Sequence, residues 1–65
     1  MRVYTLTELG KRLARTKDSD SLEMRVLNFL YDNKSSTEEE LYVVGGERHV
    51  MRHLVERGLV KELTT

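Results

Sequence analysis

The spacing of apolar residues predicts a mostly helical chain with a short strand near each end. Residues 2–5 combine β-branched and aromatic side chains, which favours a strand. Leucines then recur at helical spacing, and either Thr5 or Thr7 could cap the helix that they indicate. These leucines are Leu6, Leu9 and Leu13.

A second helix is predicted from a capping pattern at Asp20-Ser21-Leu22-Glu23 to about Asn33. One apolar face consists of Leu22, Val26, Phe29 and Leu30. A second stripe, on roughly the opposite side, consists of Met24, Leu27 and Tyr31. The second stripe is either core, covered by the N-terminal helix, or an interface with a partner.

Glycines divide the second half of the chain. Ser36-Thr37-Glu38-Glu39 is a capping box that opens a short helix, which stops at Gly45-Gly46. A further helix is predicted over residues 47–57 and ends at Gly58. We expect its four apolar side chains, Val50, Met51, Leu54 and Val55, to turn inward together.

Residues 59–63 alternate as an edge strand would, and antiparallel pairing with residues 3–5 would join the two chain ends. The predicted fold is therefore mainly α with a small two-stranded antiparallel sheet that lies on the helices. We expect a single domain over residues 1–65, because so short a chain has little core to divide.

The chain contains no cysteine, so neither a disulfide framework nor a thiolate zinc site stabilises it. Stability must come from helix packing or from self-association, which makes a homodimer one expectation. No apolar run is long enough to span a bilayer, and the N-terminus has no signal-peptide pattern, so we expect a cytoplasmic protein.

Charge is segregated along the chain although its net value is zero. Residues 1–17 carry five basic residues against one acidic residue, whereas residues 18–40 carry seven acidic residues against two basic ones. Zero net charge argues against a protein that coats nucleic acid by bulk electrostatics. A localised basic surface stays compatible with this composition.

Two helices joined by a glycine turn, followed by Met51-x-x-Leu54-x-x-x-Gly58-Leu59-Val60, resemble the helix-turn-helix of winged-helix regulators of the ArsR and MarR kind. The resemblance covers about residues 20–62, with the helix-turn-helix at about 37–57, and Glu47 stands where those regulators usually have an apolar residue. Residues 4–11 are similar to the second wing strand and the following helix of those regulators, in permuted order.

This resemblance implies a winged helix-turn-helix fold, with a three-helix core plus an N-terminal strand and helix. It also implies a transcription regulator that binds double-stranded DNA through helix 47–57 in the major groove. Arg48, His49 and Arg52 would face base edges, since an arginine fork suits guanine O6 and N7. The predicted contacts to the DNA backbone are Lys11, Arg12, Arg15, Ser36, Thr37 and Lys61.

The alternative is a winged-helix module that binds a protein and not DNA. Glu38-Glu39-Glu40 favours it, because three carboxylates at a helix start would repel a phosphate, although they also suit the helix dipole. Such a module would dock its partner on the acidic helix start or on the stripe of Met24, Leu27 and Tyr31.

The sequence does not indicate a metal site, a catalytic site or a cofactor site. His49 and His53 lie four residues apart, but only Glu56 is near as a further ligand, so we expect no metal site. No nucleophile, base and orienting group assemble, and the glycine pair lacks the lysine of a phosphate loop. We therefore expect neither an enzyme nor a cofactor.

Overall fold

The computed structural model describes residues 2–16 and 21–64 and arranges them as four helices and three strands. In chain order these elements are β1 (Arg2–Leu6), α1 (Glu8–Thr16), α2 (Leu22–Asn33), β2 (Ser35–Thr37), α3 (Glu38–Val43), α4 (Arg48–Glu56) and β3 (Val60–Thr64). Asp20, in the predicted capping pattern of the second helix, lies outside the described residues.

The three strands form one antiparallel sheet in the order β2-β1-β3. Leu6 pairs with Val60 and Tyr4 with Glu62, which confirms the predicted pairing of the chain ends. The prediction of two strands is wrong, because β2 joins the other edge of β1 and places Ser36 opposite Tyr4. Its three residues, Ser-Ser-Thr, are polar and show no strand pattern, so β2 owes its conformation to pairing with β1.

Side-chain caps determine where the helices begin. Ser21 caps α2 by accepting a hydrogen bond from the Met24 amide. Thr7, one of the two predicted caps, serves α1, because its hydroxyl accepts from the Gly10 amide at 3.1 Å. The other, Thr5, belongs to β1.

The capping box of α3 lies one residue later than predicted. Thr37 Oγ1 accepts from the Glu40 amide at 3.2 Å, and Glu40 Oε1 accepts from the Thr37 amide at 2.9 Å. Thr37 is both the last residue of β2, opposite Val3, and the N-cap of α3, so the helix begins directly where the strand ends.

The core lies between the sheet and the helices. Its largest fully buried side chains are Leu27, Leu30, Leu41, Met51, Leu54, Val26 and Val60. Helix α1 approaches the turn between α4 and β3 so closely that a Cβ on Gly10 would collide with the Leu59 carbonyl oxygen. Thr7 holds this junction, since its amide donates to Leu59 O at 3.1 Å and its hydroxyl to Gly58 O at 2.6 Å.

The second apolar stripe of α2 divides between core and surface. Met24 and Leu27 are buried by the chain itself, whereas Tyr31 is exposed. The predicted interface at these three residues therefore has to be corrected, because helix α1 packs on α2 and two of the three cannot reach a partner.

Within the part of the chain that the structure describes, every helix is too short or too polar to cross a membrane.

Candidate nucleic-acid interface

Helix α4 separates apolar from polar side chains by face. Val50, Met51 and Leu54 are buried, whereas the prediction that Val55 joins them is wrong, because Val55 is 36% exposed. At 3.6 residues per turn Val55 lies about a quarter turn from the centre of the buried face, at its edge.

The predicted base-reading residues all lie on the outer face of α4. The side chains of Arg48, His49 and Arg52 are 76%, 78% and 81% exposed. None of them packs into the body of the protein. The helix therefore presents these three side chains from a support whose opposite side is anchored in the core.

Two glycines make the turn between α3 and α4 possible. Gly45 has a φ of +95°, which an L side chain rarely adopts. The Gly46 amide donates to Leu41 O at 2.6 Å, and a Cβ on Gly46 would lie 2.9 Å from that same oxygen. Glycine at both positions lets the chain turn from α3 into α4 within residues 44–47.

Glu47, which stands where ArsR- and MarR-like regulators usually have an apolar residue, precedes α4 as its N-cap. Its side chain makes no capping hydrogen bond and instead lies 3.5 Å from Nδ1 of His49. Glu47 is exposed, so this position does not require an apolar residue here. The first turn of α4 is open to solvent beside Arg48 and His49.

A groove with a volume of about 610 Å³ runs between α4 and the sheet. Tyr4 and Val55 contribute its apolar surface. Its remaining lining residues are polar or charged: Arg2, Arg48, His49, Arg52, Glu56 and Glu62. The groove thus combines three arginines with an aromatic ring.

Each arginine of the groove lies near a carboxylate. Nε of Arg2 is 3.2 Å from Glu62, and Nε of Arg52 is 3.3 Å from Glu56. Nε of Arg48 lies 3.7 Å from Glu38 at the start of α3. Such exposed pairs contribute about 0–1 kcal/mol, so a phosphate or a base edge could displace the carboxylates.

The residues of α1 that are predicted to contact the DNA backbone lie away from this groove. Lys11, Arg12 and Arg15 are exposed, and Lys11 Nζ is 3.7 Å from Glu8. Arg12 instead lines a separate depression with Leu9 and Leu59. The structure therefore separates the cations of α1 from those of α4.

The three other residues that were predicted to contact the DNA backbone, Ser36, Thr37 and Lys61, also lie outside the groove. Ser36 is only 3% exposed, and its hydroxyl has no hydrogen-bond partner among the described residues. A phosphate cannot reach it, so Ser36 has to be removed from the predicted site. The Thr37 hydroxyl is occupied in the capping box. Lys61 is exposed but alternates with Glu62 along β3, so it faces the other side of the sheet.

Sequence reasoning missed the strand residues of the groove, Arg2, Tyr4 and Glu62. Each comes from a chain end, and only the sheet places them beside α4. The predicted pairing of residues 3–5 with 60–63 was the signal that could have found them. Combined with the exposed face of helix 47–57, it would have indicated a composite surface.

A metal centre receives no support from the described residues, among which no three histidine, aspartate or glutamate side chains are grouped to hold an ion. His49 and His53 line a smaller depression of about 300 Å³ with Leu22 and Val50.

Comparison of the chain with family models, with curated proteins and with solved structures found no match.

Proposed function

We propose that this chain is a DNA-binding domain of the winged helix-turn-helix type, acting as a cytoplasmic transcription regulator. Helix α4 enters the major groove of double-stranded DNA. One observation carries the proposal: Arg48, His49 and Arg52 project from a helix whose Val50, Met51 and Leu54 are buried. An α-helix with its side chains is about 10–12 Å wide and the major groove about 12 Å, so the two fit.

The order of elements supports this fold. Strand β3 follows α4 as the first wing strand follows the recognition helix of ArsR- and MarR-like regulators. Strand β1 pairs with β3 over five residues, from Arg2 with Thr64 to Leu6 with Val60, and takes the place of the second wing strand. Helix α1 follows β1, as a helix follows that strand in the regulators, so the arrangement is that of a permuted winged helix.

The chemistry of the groove supports DNA as the ligand. Arg48 and Arg52 meet their carboxylates most closely at Nε, which leaves the terminal nitrogens of each guanidinium for a bidentate contact with guanine. Arg2 adds a third cation beside them. In this proposal Lys11, Arg12 and Arg15 contact phosphates farther along the duplex, without reading sequence.

A titration of labelled random-sequence duplex followed by fluorescence anisotropy, at two salt concentrations, tests the proposal. We expect log K to fall with log salt with a slope of about −0.9 for each phosphate neutralised. In a parallel NMR titration, shifts should concentrate in α4 and in Arg2 and Tyr4 of β1.

Absence of binding, or binding with no salt dependence, would overturn the proposal. The alternative of a protein-interaction module would then be preferred, because the carboxylates beside each arginine make the groove nearly neutral.

A further inference from the structure

A depression with a volume of about 380 Å³ lies between α1 and the segment that follows α4. Its lining residues are Leu9, Arg12, Leu13 and Thr16 from α1 and Arg57 and Leu59 from the segment after α4. We call this surface the α1 depression. It shares no lining residue with the groove beside α4, so the two surfaces can bind different ligands.

Three leucines make the apolar part of the α1 depression. Leu59 is buried, Leu13 is half-buried and Leu9 is 54% exposed. The backbone beside them is held in place, because Thr7 donates its amide to Leu59 O at 3.1 Å and α1 lies against Leu59 at Gly10. The apolar surface is therefore formed before any ligand arrives.

Two arginines lie beside these leucines, and among the described residues no carboxylate lines the α1 depression. Arg12 forms no ion pair with any residue that the structure describes. Nη1 of Arg57 donates to Glu23 at 2.7 Å, but a guanidinium has five N–H donors, so Arg57 keeps others for a second carboxylate. The groove beside α4 differs, because Glu56 and Glu62 line it together with its arginines.

We propose that the α1 depression binds a segment of a partner protein in which an apolar side chain is flanked by aspartate or glutamate. The apolar side chain packs on the three leucines and removes their exposed surface from water. The flanking carboxylates pair with Arg12 and Arg57. Duplex DNA is a poorer occupant, since its phosphates would satisfy the arginines but leave the leucines uncovered.

This site goes beyond the proposed DNA contact and does not depend on it. Lys11 and Arg15 do not line the α1 depression, so they stay available to the duplex when a partner is bound. Arg12 belongs to both surfaces, and a bound segment withdraws it from the DNA backbone. The site also differs from the acidic helix start of the alternative module, because its charge has the opposite sign.

Selection of short random peptides displayed on phage, with the whole chain immobilised, tests the proposal. We expect the enriched sequences to carry leucine, isoleucine, phenylalanine or methionine between aspartate or glutamate residues. The most enriched peptide is then synthesised with a fluorescent label. Anisotropy gives its affinity for the unmodified chain and for variants, and circular dichroism verifies that each variant folds.

Two pairs of variants locate the bound peptide. Arg12→Glu should weaken binding about tenfold or more, because it places a carboxylate beside those of the peptide. Arg15→Glu makes the same change on the same helix outside the depression, and at about 0.15 M salt it should change the affinity less than about twofold. Leu9→Ser should weaken binding about fivefold through the loss of apolar contact. Leu63→Ser, at an exposed leucine of β3, is its control and should have no effect.

Selection that enriches no peptide of this composition, or affinities that Arg12→Glu and Leu9→Ser leave unchanged, would overturn the proposal. Phosphatidylglycerol vesicles that pellet the unmodified chain but not these two variants, with no peptide enriched, would overturn it in favour of an anionic membrane. Failure of this site is distinguishable from failure of the DNA contact. Leu9→Ser should bind duplex as the unmodified chain does, since the proposed DNA contact does not use Leu9.

Discussion

Tyr4 and Glu62 lie directly opposite each other on β1 and β3, and both line the groove beside α4. These residues come from opposite ends of the chain, and their pairing makes one wall of the proposed DNA-binding surface. The groove therefore needs an intact sheet as well as an intact helix. Some substitutions should therefore lower DNA binding by removing a contact in the groove. Others should lower it by disrupting the fold that forms the groove.

Replacing Arg52 with alanine should weaken DNA binding by about 1–3 kcal/mol, because the fork that reads a base edge is lost. Arg52→Lys keeps the charge without the fork, so it should lose preference between duplexes more than overall affinity. Anisotropy titrations with a preferred and a scrambled duplex measure both effects. Lys34→Ala is the control, since Lys34 is exposed and lies outside the groove. Equal affinity of the Arg52→Ala variant and the unmodified chain would remove Arg52 from the site.

Neutralising a carboxylate of the groove should have the opposite effect. In Glu56→Gln, Arg52 loses the carboxylate 3.3 Å from its Nε, so we expect tighter binding to duplex and a steeper salt dependence. The same titration at two salt concentrations measures the change. Asp32→Asn removes an equal charge from the exposed end of α2, outside the groove, and serves as the control. Weaker binding by Glu56→Gln would show that this carboxylate helps to position Arg52 and does not compete with DNA.

Adding a methyl group at Gly10 should destabilise the fold by about 3 kcal/mol, because the new Cβ would meet the carbonyl oxygen of Leu59, which belongs to the backbone and cannot rotate away. Urea unfolding measures the loss. At Gly58 nothing lies within 4 Å of a new Cβ, and only its φ of +77° opposes alanine. We therefore expect Gly58→Ala to cost about 1 kcal/mol. A Gly10→Ala variant as stable as the original chain would contradict the close approach of α1 to the backbone of Leu59.

Replacing Ser36 or Thr37, which are neighbours, with alanine should change the free energy of unfolding by different amounts. Thr37→Ala removes the cap of α3 and should lower the free energy of unfolding by about 1 kcal/mol. Ser36→Ala removes a buried hydroxyl that has no partner among the described residues, so stability should stay the same or rise. Urea unfolding of both variants gives the comparison. Equal losses would contradict the assignment of Thr37 as the cap.

Local signals in the sequence were enough to predict most elements. Ser21 before α2 and Gly58 after α4 act through hydrogen bonds and backbone angles within a few residues, so the printed sequence already contains them. The outward position of Arg48 and Arg52 follows in the same way from the spacing of Val50, Met51 and Leu54. The face of α4 was therefore predictable without knowledge of its neighbours.

Contacts between segments that are distant in the sequence decided the third strand, the burial of several residues and the lining of the groove. Strand β2 forms because β1 lies beside it, and this pairing buries Ser36, which sequence reasoning had left open to a phosphate. Met24 and Leu27 are buried within the chain, on a helix that packs against both α1 and the sheet, whereas their spacing alone fits a core or an interface. Arg2 lines the groove only because β1 pairs with β3.

By itself, then, the sequence determined the order of helices, their approximate ends and the polar face of α4, since hydrogen bonds and periodicity over one or two turns specify them. The tertiary structure alone decided the third strand, the groove between α4 and the sheet and which apolar side chains stay exposed. Burial depends on what covers a residue, and the covering element here comes from elsewhere in the chain.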